Sequence, residues 1–323
     1  MSNLEKHPVE VVEVSEPSDG VTVLEPRDVP LGGPRAMNVR RTLPQRSRSL
    51  IGGWCFVDHY GPDLVSAGPG MVVPPHPHTG LQTVSWLFAG VIDHRDSVGS
   101  HAPVRPGELN LMTAGSGISH SEVSTRDTTI LHGAQLWVAL PDSARHGSPA
   151  FENYMPEPFV LGDAMVRVFI GELAGRASTA TVFSRLLGAQ VDLPAGTSVT
   201  FDVDPGFEHG VLVDAGDVTV EGMPVPLSHL GYVPLGRSTV TISTGGLPAT
   251  VLLLGGEPLG ERIVMWWNFI GRTHDEIVEY RDAWQHDVIA GGNLNGRFGA
   301  VAYDGRALPA PELPVNVRLS PRG

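Results

Sequence analysis

The chain has 323 residues, too many for one small domain and too few for three, so two domains or a duplicated one is expected. With 41% hydrophobic residues it can bury a core, and 39 Gly with 28 Pro interrupt it too often for long helices or a helical bundle. A net charge of −13 opposes binding to a nucleic-acid backbone, and a single cysteine, Cys55, excludes an intrachain disulfide and a thiolate zinc cluster.

Residues 1–20 hold Glu5, Glu10, Glu13, Glu16 and Asp19 against Lys6, the sole lysine, and are expected to be a mobile acidic N-terminus. The VEVVEV run at 9–14 alternates as an edge strand would. No apolar signal core begins the chain, and no stretch approaches the roughly 18 apolar residues of a membrane span, so a cytoplasmic protein without membrane contact is expected. From Val29 to Val57 there is no acid, while Arg35, Arg40, Arg41, Arg46 and Arg48 accumulate. No aromatic residues interleave with these arginines, so a solvated or substrate-facing strip is expected rather than a nucleic-acid contact.

Short β-branched or aromatic runs then follow one another, among them WCFVDHY, TVSWLF, LNLMTA, AMVRVFIG, TSVTFDV, STVTIST and ATVLLLG. Turn residues separate most of them, in two batches at about 50–140 and 165–255, which predicts an all-β protein of sandwich or barrel type. One helix is predicted beyond the second batch, packed across a sheet. Thr273 and Glu276 have capping-box spacing, and Ile277, Tyr280 and Trp284 make an apolar stripe.

Histidines are concentrated, with eight of the 13 between His59 and His146. His76 and His78 sit two apart at the entry to a strand-like run, and His120 and Glu122 repeat that spacing after a Gly-rich turn. Residues i and i+2 of a strand share a face. If the two segments are neighbouring strands, His76, His78, His120 and Glu122 form one inward cluster, suited to a first-row divalent metal. Either pair alone is more often surface or hydrogen-bonding chemistry. Burying three imidazoles and a carboxylate together without a partner would be costly.

These segments resemble the cupin superfamily, and within it the pirin family. The resemblance runs from Gly70 through His76-Pro77-His78, His94-Arg95-Asp96-Ser97, Pro106-Gly107-Glu108 and Met112-Thr113-Ala114-Gly115 to Gly117-Ile118-Ser119-His120-Ser121-Glu122. Arg41–Pro44, Phe56–Pro62 and His132–Val138 extend it over about 35–141, and Gly255–Leu259 with the helix near Glu276 resembles the family's C-terminal half more weakly. The methionine-to-glutamate motif is specific, whereas His-Pro-His alone is not.

The resemblance implies two tandem cupin β-sandwich barrels, a bicupin, with a short C-terminal helix. The expected divisions are 21–150 for an N-terminal cupin domain with the metal site, and 151–323 for a metal-free cupin domain with helix and tail. It implies Fe(II) held by His76, His78, His120 and Glu122, with Mn, Ni, Co, Cu or Zn as other divalent candidates. Glu208 and His209 in the second half are adjacent, so they point to opposite faces and are expected to be structural. Gln82 stands where many family members carry glutamate, and Thr79 where many carry arginine; a neutral amide beside the metal would lower the local negative charge.

Family members are described as quercetin 2,3-dioxygenases, and some as iron-dependent transcriptional cofactors. The resemblance therefore implies an oxidoreductase acting on a flavonol or related enediol with O₂, with Glu122 as ligand and proton acceptor. Trp86, Phe88 or Met112 are candidate ring-stacking walls, though plain core is the commoner role for each. The alternative is an iron-binding, redox-sensing protein that binds a protein partner through Arg35, Arg40 and Arg41. A monomer is expected.

The remaining single residues read blandly. Cys55 should be a buried, inert thiol between Trp54 and Phe56. Ser119 and Ser121 fit no hydrolytic order. His94 with Asp96, and His59 with Asp58, could orient ligands or simply sit at strand edges. His101 should be at the surface, and the adjacent Trp266 and Trp267 should divide between core and domain boundary.

Overall fold

The structure is a computed structural model describing residues 20–30, 37–45, 47–66, 68, 70–314 and 317–322. The acidic start up to Asp19, the VEVVEV run, Arg35 and Arg46 lie outside the described residues.

Period-two patterning sets the strands. In Ser198–Asp202, Val199 and Phe201 are buried while Ser198, Thr200 and Asp202 are exposed. The strands assemble into two β-sandwiches, each a seven-stranded sheet against a four-stranded one, with every pairing between sheet neighbours antiparallel. The first large sheet runs, edge to edge, Ala150–Tyr154, Leu109–Thr113, Leu81–Ala89, Ile130–Ala139, Trp54–Leu64, Asn38–Leu43 and Arg27–Pro30. Its small companion is Val72–His78, Ile118–Ser124, Ile92–Asp96 and His101–Val104. The second large sheet is Thr22–Leu24, Leu230–Val233, Glu208–Ala215, Ala249–Gly256, Leu186–Leu193, Ala164–Ile170 and Phe159–Leu161. Ser198–Asp202, Thr239–Thr244, Val218–Val220 and Met223–Val225 complete the second barrel.

Alternation gives each large sheet two buried faces. One face of the first sheet carries Val84, Trp86, Ala134, Leu136 and Val138, packed against Phe169, Leu186, Leu212, Leu252 and Leu254 of the second. The opposite face of the second sheet, with Leu187, Ala189, Val191, Val211, Val213, Val251 and Leu253, fills the second barrel. The barrels thus join sheet to sheet. Their backbones meet where a Cβ on Gly52, at φ +54°, would stand 2.6 Å from Gly256 Cα, so both the conformation and the space require glycine there.

Chain order and spatial order part company at the ends. The strand at residue 150 continues to Tyr154 within the first sheet, pairing with Leu109–Thr113. Thr22–Leu24 pairs with Leu230–Val233 and so closes the edge of the second barrel. Beyond Gly256 the chain returns to the first barrel: Thr79 bridges Phe269, and Leu308 N donates to Pro75 O at 2.8 Å.

The helix forms over His274–Trp284, capped by Thr273, with Ile277, Tyr280 and Trp284 buried. Glu276 turns its carboxylate back to the helix start, where Arg272 N and Arg145 Nη2 also donate to it. Trp266 and Trp267 do not divide between core and boundary. Both are 1% exposed in one apolar cluster with Phe269, Ile277, Trp284 and Phe298. Cys55 is buried, and burial raises its thiol pKa, as expected of an inert thiol. His101 is exposed and pairs with Asp93 at 2.6 Å.

Candidate metal centre

The two short segments are neighbours in the small sheet of the first barrel. His120 lies opposite His76, and Ile118 opposite His78. A bulge follows, so Glu122 faces Val73. Its cause is in the sequence: Pro74 and Pro75 have no N–H for the ladder, and the strand carries an extra residue there. On its other side this strand pairs His120 with Asp96 and Glu122 with His94. His76, His78, His94, Asp96, His120 and Glu122 therefore share the inner face, and all are buried.

The donor atoms of His76, His78 and His120 lie within 4.8 Å of one another, and those of His94, His120 and Glu122 form a second, overlapping group. Hydrogen-bond partners settle the tautomers. His76 Nδ1 donates to Pro74 O at 2.9 Å, and His78 Nδ1 donates to Asn268 O at 3.1 Å. A carbonyl can only accept, so both Nε2 atoms of the neutral rings carry lone pairs. Asp96 Oδ2 accepts from His94 Nε2 at 3.2 Å, which leaves His94 Nδ1 to accept from His120 Nδ1 at 3.4 Å. The third Nε2 is then unprotonated as well. It stands 3.1 Å from His78 Nε2, a spacing that fits two adjacent ligands of one ion with bonds of roughly 2.0–2.2 Å.

Burial reinforces this state. It pushes His76 down to about 3 and His78 and His120 well below the ordinary histidine value, so all three are neutral at pH 7. His76 Nε2 has no hydrogen-bond partner among the described residues. Three converging lone pairs, buried together, repel each other and waste hydrogen-bonding capacity unless a cation joins them. The donor set fits a divalent transition metal.

Glu122 is fixed from the opposite sheet. Ser85 Oγ lies 3.1 Å from Glu122 Oε1 and 2.9 Å from the Gln135 amide, and its single proton can serve one of them. With Gln135 Nε2 turned toward Ser85, the chain runs Gln135 to Ser85 to Glu122 and employs an amide that otherwise has no partner.

The aromatic walls differ from expectation. Trp86 and Phe88 are on the inter-barrel face: Trp86 stacks on Phe169 at 4.5 Å and donates to Gln190, and Phe88 packs on His132. Met112 does face inward: it pairs with Phe151 and Thr83 and is buried in one apolar cluster with Phe56, Ile118, Trp137 and Phe151. The rings beside the histidines are Trp137, 5.2 Å edge-on from His78, and Phe151, stacked on His94 at 4.4 Å. Phe151 carried no sequence signal, because it comes from the strand at the domain boundary. Trp137 lies within the pirin-like stretch His132–Val138, and its parity with Gln135 assigns its face once the sheet is known.

Other expectations are corrected. Gln82 does not lie beside the histidines; it donates to Thr113 Oγ1 and Thr181 O on the inter-barrel face, so its neutrality does not alter the charge around them. Arg41 is not a partner contact, because it is buried in a two-bond pair with Asp58 and lies over Phe56. His59 pairs with Asp214 of the second barrel, not with Asp58. In the second barrel His209 is buried, with neither ring nitrogen partnered among the described residues, while Glu208 accepts from Arg48 and Gly52 N between the barrels.

The hairpin Val264–Gly271 that supplies Asn268 O turns at Trp267, whose φ is +52°. A bulky residue in the left-handed region is strained, and here the turn it makes aims a carbonyl at His78. No described helix is long and apolar enough to cross a membrane.

Comparison with known proteins agrees with this architecture. The Pirin family model matches residues 36–138, and the Pirin C-terminal cupin domain matches residues 188–289. A Pseudomonas aeruginosa protein named "Putative quercetin 2,3-dioxygenase" is 40% identical over 293 residues, 90% of each chain. A pirin-like protein of Caulobacter vibrioides is 35% identical across 76% of this chain and 88% of its own. The crystal structure of a quercetin 2,3-dioxygenase from Acinetobacter baumannii superposes with a TM-score of 0.86 at 36% identity, covering 93% of this chain and 98% of that one. With both cupin barrels matched and two relatives above 30% identity over most of its length, this chain belongs to the pirin family.

Proposed function

We propose that this protein is a metal-dependent oxygenase of the quercetin 2,3-dioxygenase type, acting on a flavonol or related enediol with O₂. The observation that carries the reading is the convergence of the donor atoms of His76, His78 and His120, with the buried Glu122 carboxylate joined to them through His120. The family names of the similar proteins support the substrate class. His76, His78, His120 and Glu122 would hold the ion. A first-row divalent metal bound there supplies Lewis acidity and, as iron(II), reactivity toward O₂. Manganese, nickel, cobalt, copper and zinc are compatible with the same donors.

The chain's own residues do the rest. Pro74 O and Asn268 O hold the rings of His76 and His78 in aim, and the His94–Asp96 pair holds His120 in its ligating tautomer. Ser85 orients the Glu122 carboxylate, to which we assign the proton of the substrate hydroxyl. Trp137 and Phe151 supply apolar ring surface beside the histidines and keep water from them. Oxygen consumption by iron-reconstituted protein with a panel of flavonols tests the reading: uptake with at least one substrate, abolished in His76→Ala, is expected. No uptake across the panel would remove it. The alternative, iron-responsive binding of a protein partner, finds less support, since Arg41 is buried and Arg40 turns inward to Gly61 O and His59.

A further inference from the structure

A second set of donors converges between the barrels, away from the centre just described. His59 comes from strand Trp54–Leu64, His132 from Ile130–Ala139, and Asp214 from Glu208–Ala215 of the other barrel. His59 Nε2 lies 2.7 Å and His132 Nε2 2.6 Å from one oxygen, Asp214 Oδ1. All three donor atoms fall within 4.8 Å of one another. His132 Nε2 reaches only that same oxygen, which His59 Nε2 already engages, and makes no other hydrogen bond among the described residues. Asp214 also lines a cleft of about 440 Å³ between the barrels, together with Phe88, Arg167 and Asp192.

We propose that His59, His132 and Asp214 form a second divalent-cation site, of zinc class, shared between the barrels. Two imidazoles and one carboxylate match a three-ligand zinc site, with the remaining position directed to the cleft that Asp214 lines. As found, Arg40 can only donate, so His59 Nδ1 accepts and Nε2 donates to Asp214 Oδ1; an ion at Nε2 displaces that proton, and Nδ1 then carries one that Ser228 Oγ, 3.2 Å away, can accept. Seating an ion requires the carboxylate oxygen to withdraw until each nitrogen is roughly 2.9–3.3 Å away, as bonds of about 2.0–2.1 Å demand. A side-chain rotation of Asp214 suffices for that shift of about half an ångström. Arg40 Nη2, bonded to Gly61 O, lies 3.3 Å from His59 Nδ1, and its charge opposes the cation. The site is therefore weaker than the four-ligand centre. Because its ligands come from both barrels, an ion there ties one barrel to the other.

Zinc binding to the full chain, followed by equilibrium dialysis with elemental analysis, tests the assignment, with cobalt(II) absorption reporting the coordination of each ion. The expected result is an equivalent of zinc that survives His76→Ala and weakens at least about 10-fold in Asp214→Asn and in His132→Gln. His132→Gln serves if Asp214→Asn loosens the barrels, because it leaves the His59–Asp214 bond in place. In the His76→Ala background, zinc should also raise the melting temperature, and His132→Gln should abolish that rise. A zinc stoichiometry and affinity unchanged by both Asp214→Asn and His132→Gln would overturn the proposal. In that case the trio is only a hydrogen-bonded contact between barrels.

Discussion

In the first barrel the inward positions at mid-height carry His76, His78, His94, His120, Glu122, Ser85 and Gln135, whereas the second barrel presents Val166, Leu187, Val191, Val211, Val251 and Leu253. The frames are alike, a seven-stranded sheet on a four-stranded one. The filling differs. An apolar interior is stabilised by packing alone, with each buried Leu or Val worth about 1.5–3 kcal/mol relative to exposure. A polar belt gains that much only if each group finds a partner, and the first barrel meets the condition in part, with cross-strand relays, while His76 Nε2 has none among the described residues. Duplicated architecture thus carries two different fillings, a polar belt in one barrel and an apolar interior in the other, joined sheet to sheet.

The largest effect that could break this comparison is on metal content. His76→Ala and Glu122→Ala should each strip most of the first centre's metal, by mass spectrometry of protein purified without a chelating tag, while leaving the β-sheet circular dichroism intact. Full retention in both would mean the ligands are misassigned. Truncation in the second barrel should do the reverse. Leu253→Ala should cost about 2–5 kcal/mol in denaturant unfolding and leave metal content unchanged.

Acid provides a third test, because the second barrel buries an imidazole, His209, completely. Burial lowers its pKa to about 4 from the ordinary 6.5. Between those values the unfolded chain binds the proton and the folded chain does not, so stability falls as pH drops from 6.5 toward 4. The loss is at most about 3 kcal/mol, and His209→Leu should flatten it in urea titrations at pH 7 and pH 4.5. The smallest effect is on the relay behind His120. His94→Asn or Asp96→Asn should weaken metal affinity about 10- to 100-fold without removing a primary ligand, as read by chelator competition.

Much of the centre is legible in the order of residues. His76 with His78, and His120 with Glu122, had to share a face wherever their strands lay, because side chains repeat every two residues along a strand. The capping spacing of Thr273 and Glu276 marked the helix start, and the turn-punctuated runs marked an all-β chain. The walls were not legible. Trp86 and Phe88 are as aromatic as Trp137 and Phe151, and nothing in composition says which face of a strand looks inward when both faces are covered. Gln82 misled for the same reason: the family resemblance suggested a place beside the metal, but its side chain faces the other barrel.

Residue order by itself therefore determined the strand-rich class, the pairing of donors two by two, and the contrast between a histidine-rich first half and an apolar second half. Tertiary structure alone decided that Asn268, 190 positions away, aims His78, and that His59 meets Asp214 across 155 positions. The reason is physical. Local periodicity fixes the direction of a side chain relative to its own strand, whereas the identity of the neighbour it meets depends on how sheets and barrels pack, which no short stretch of sequence encodes.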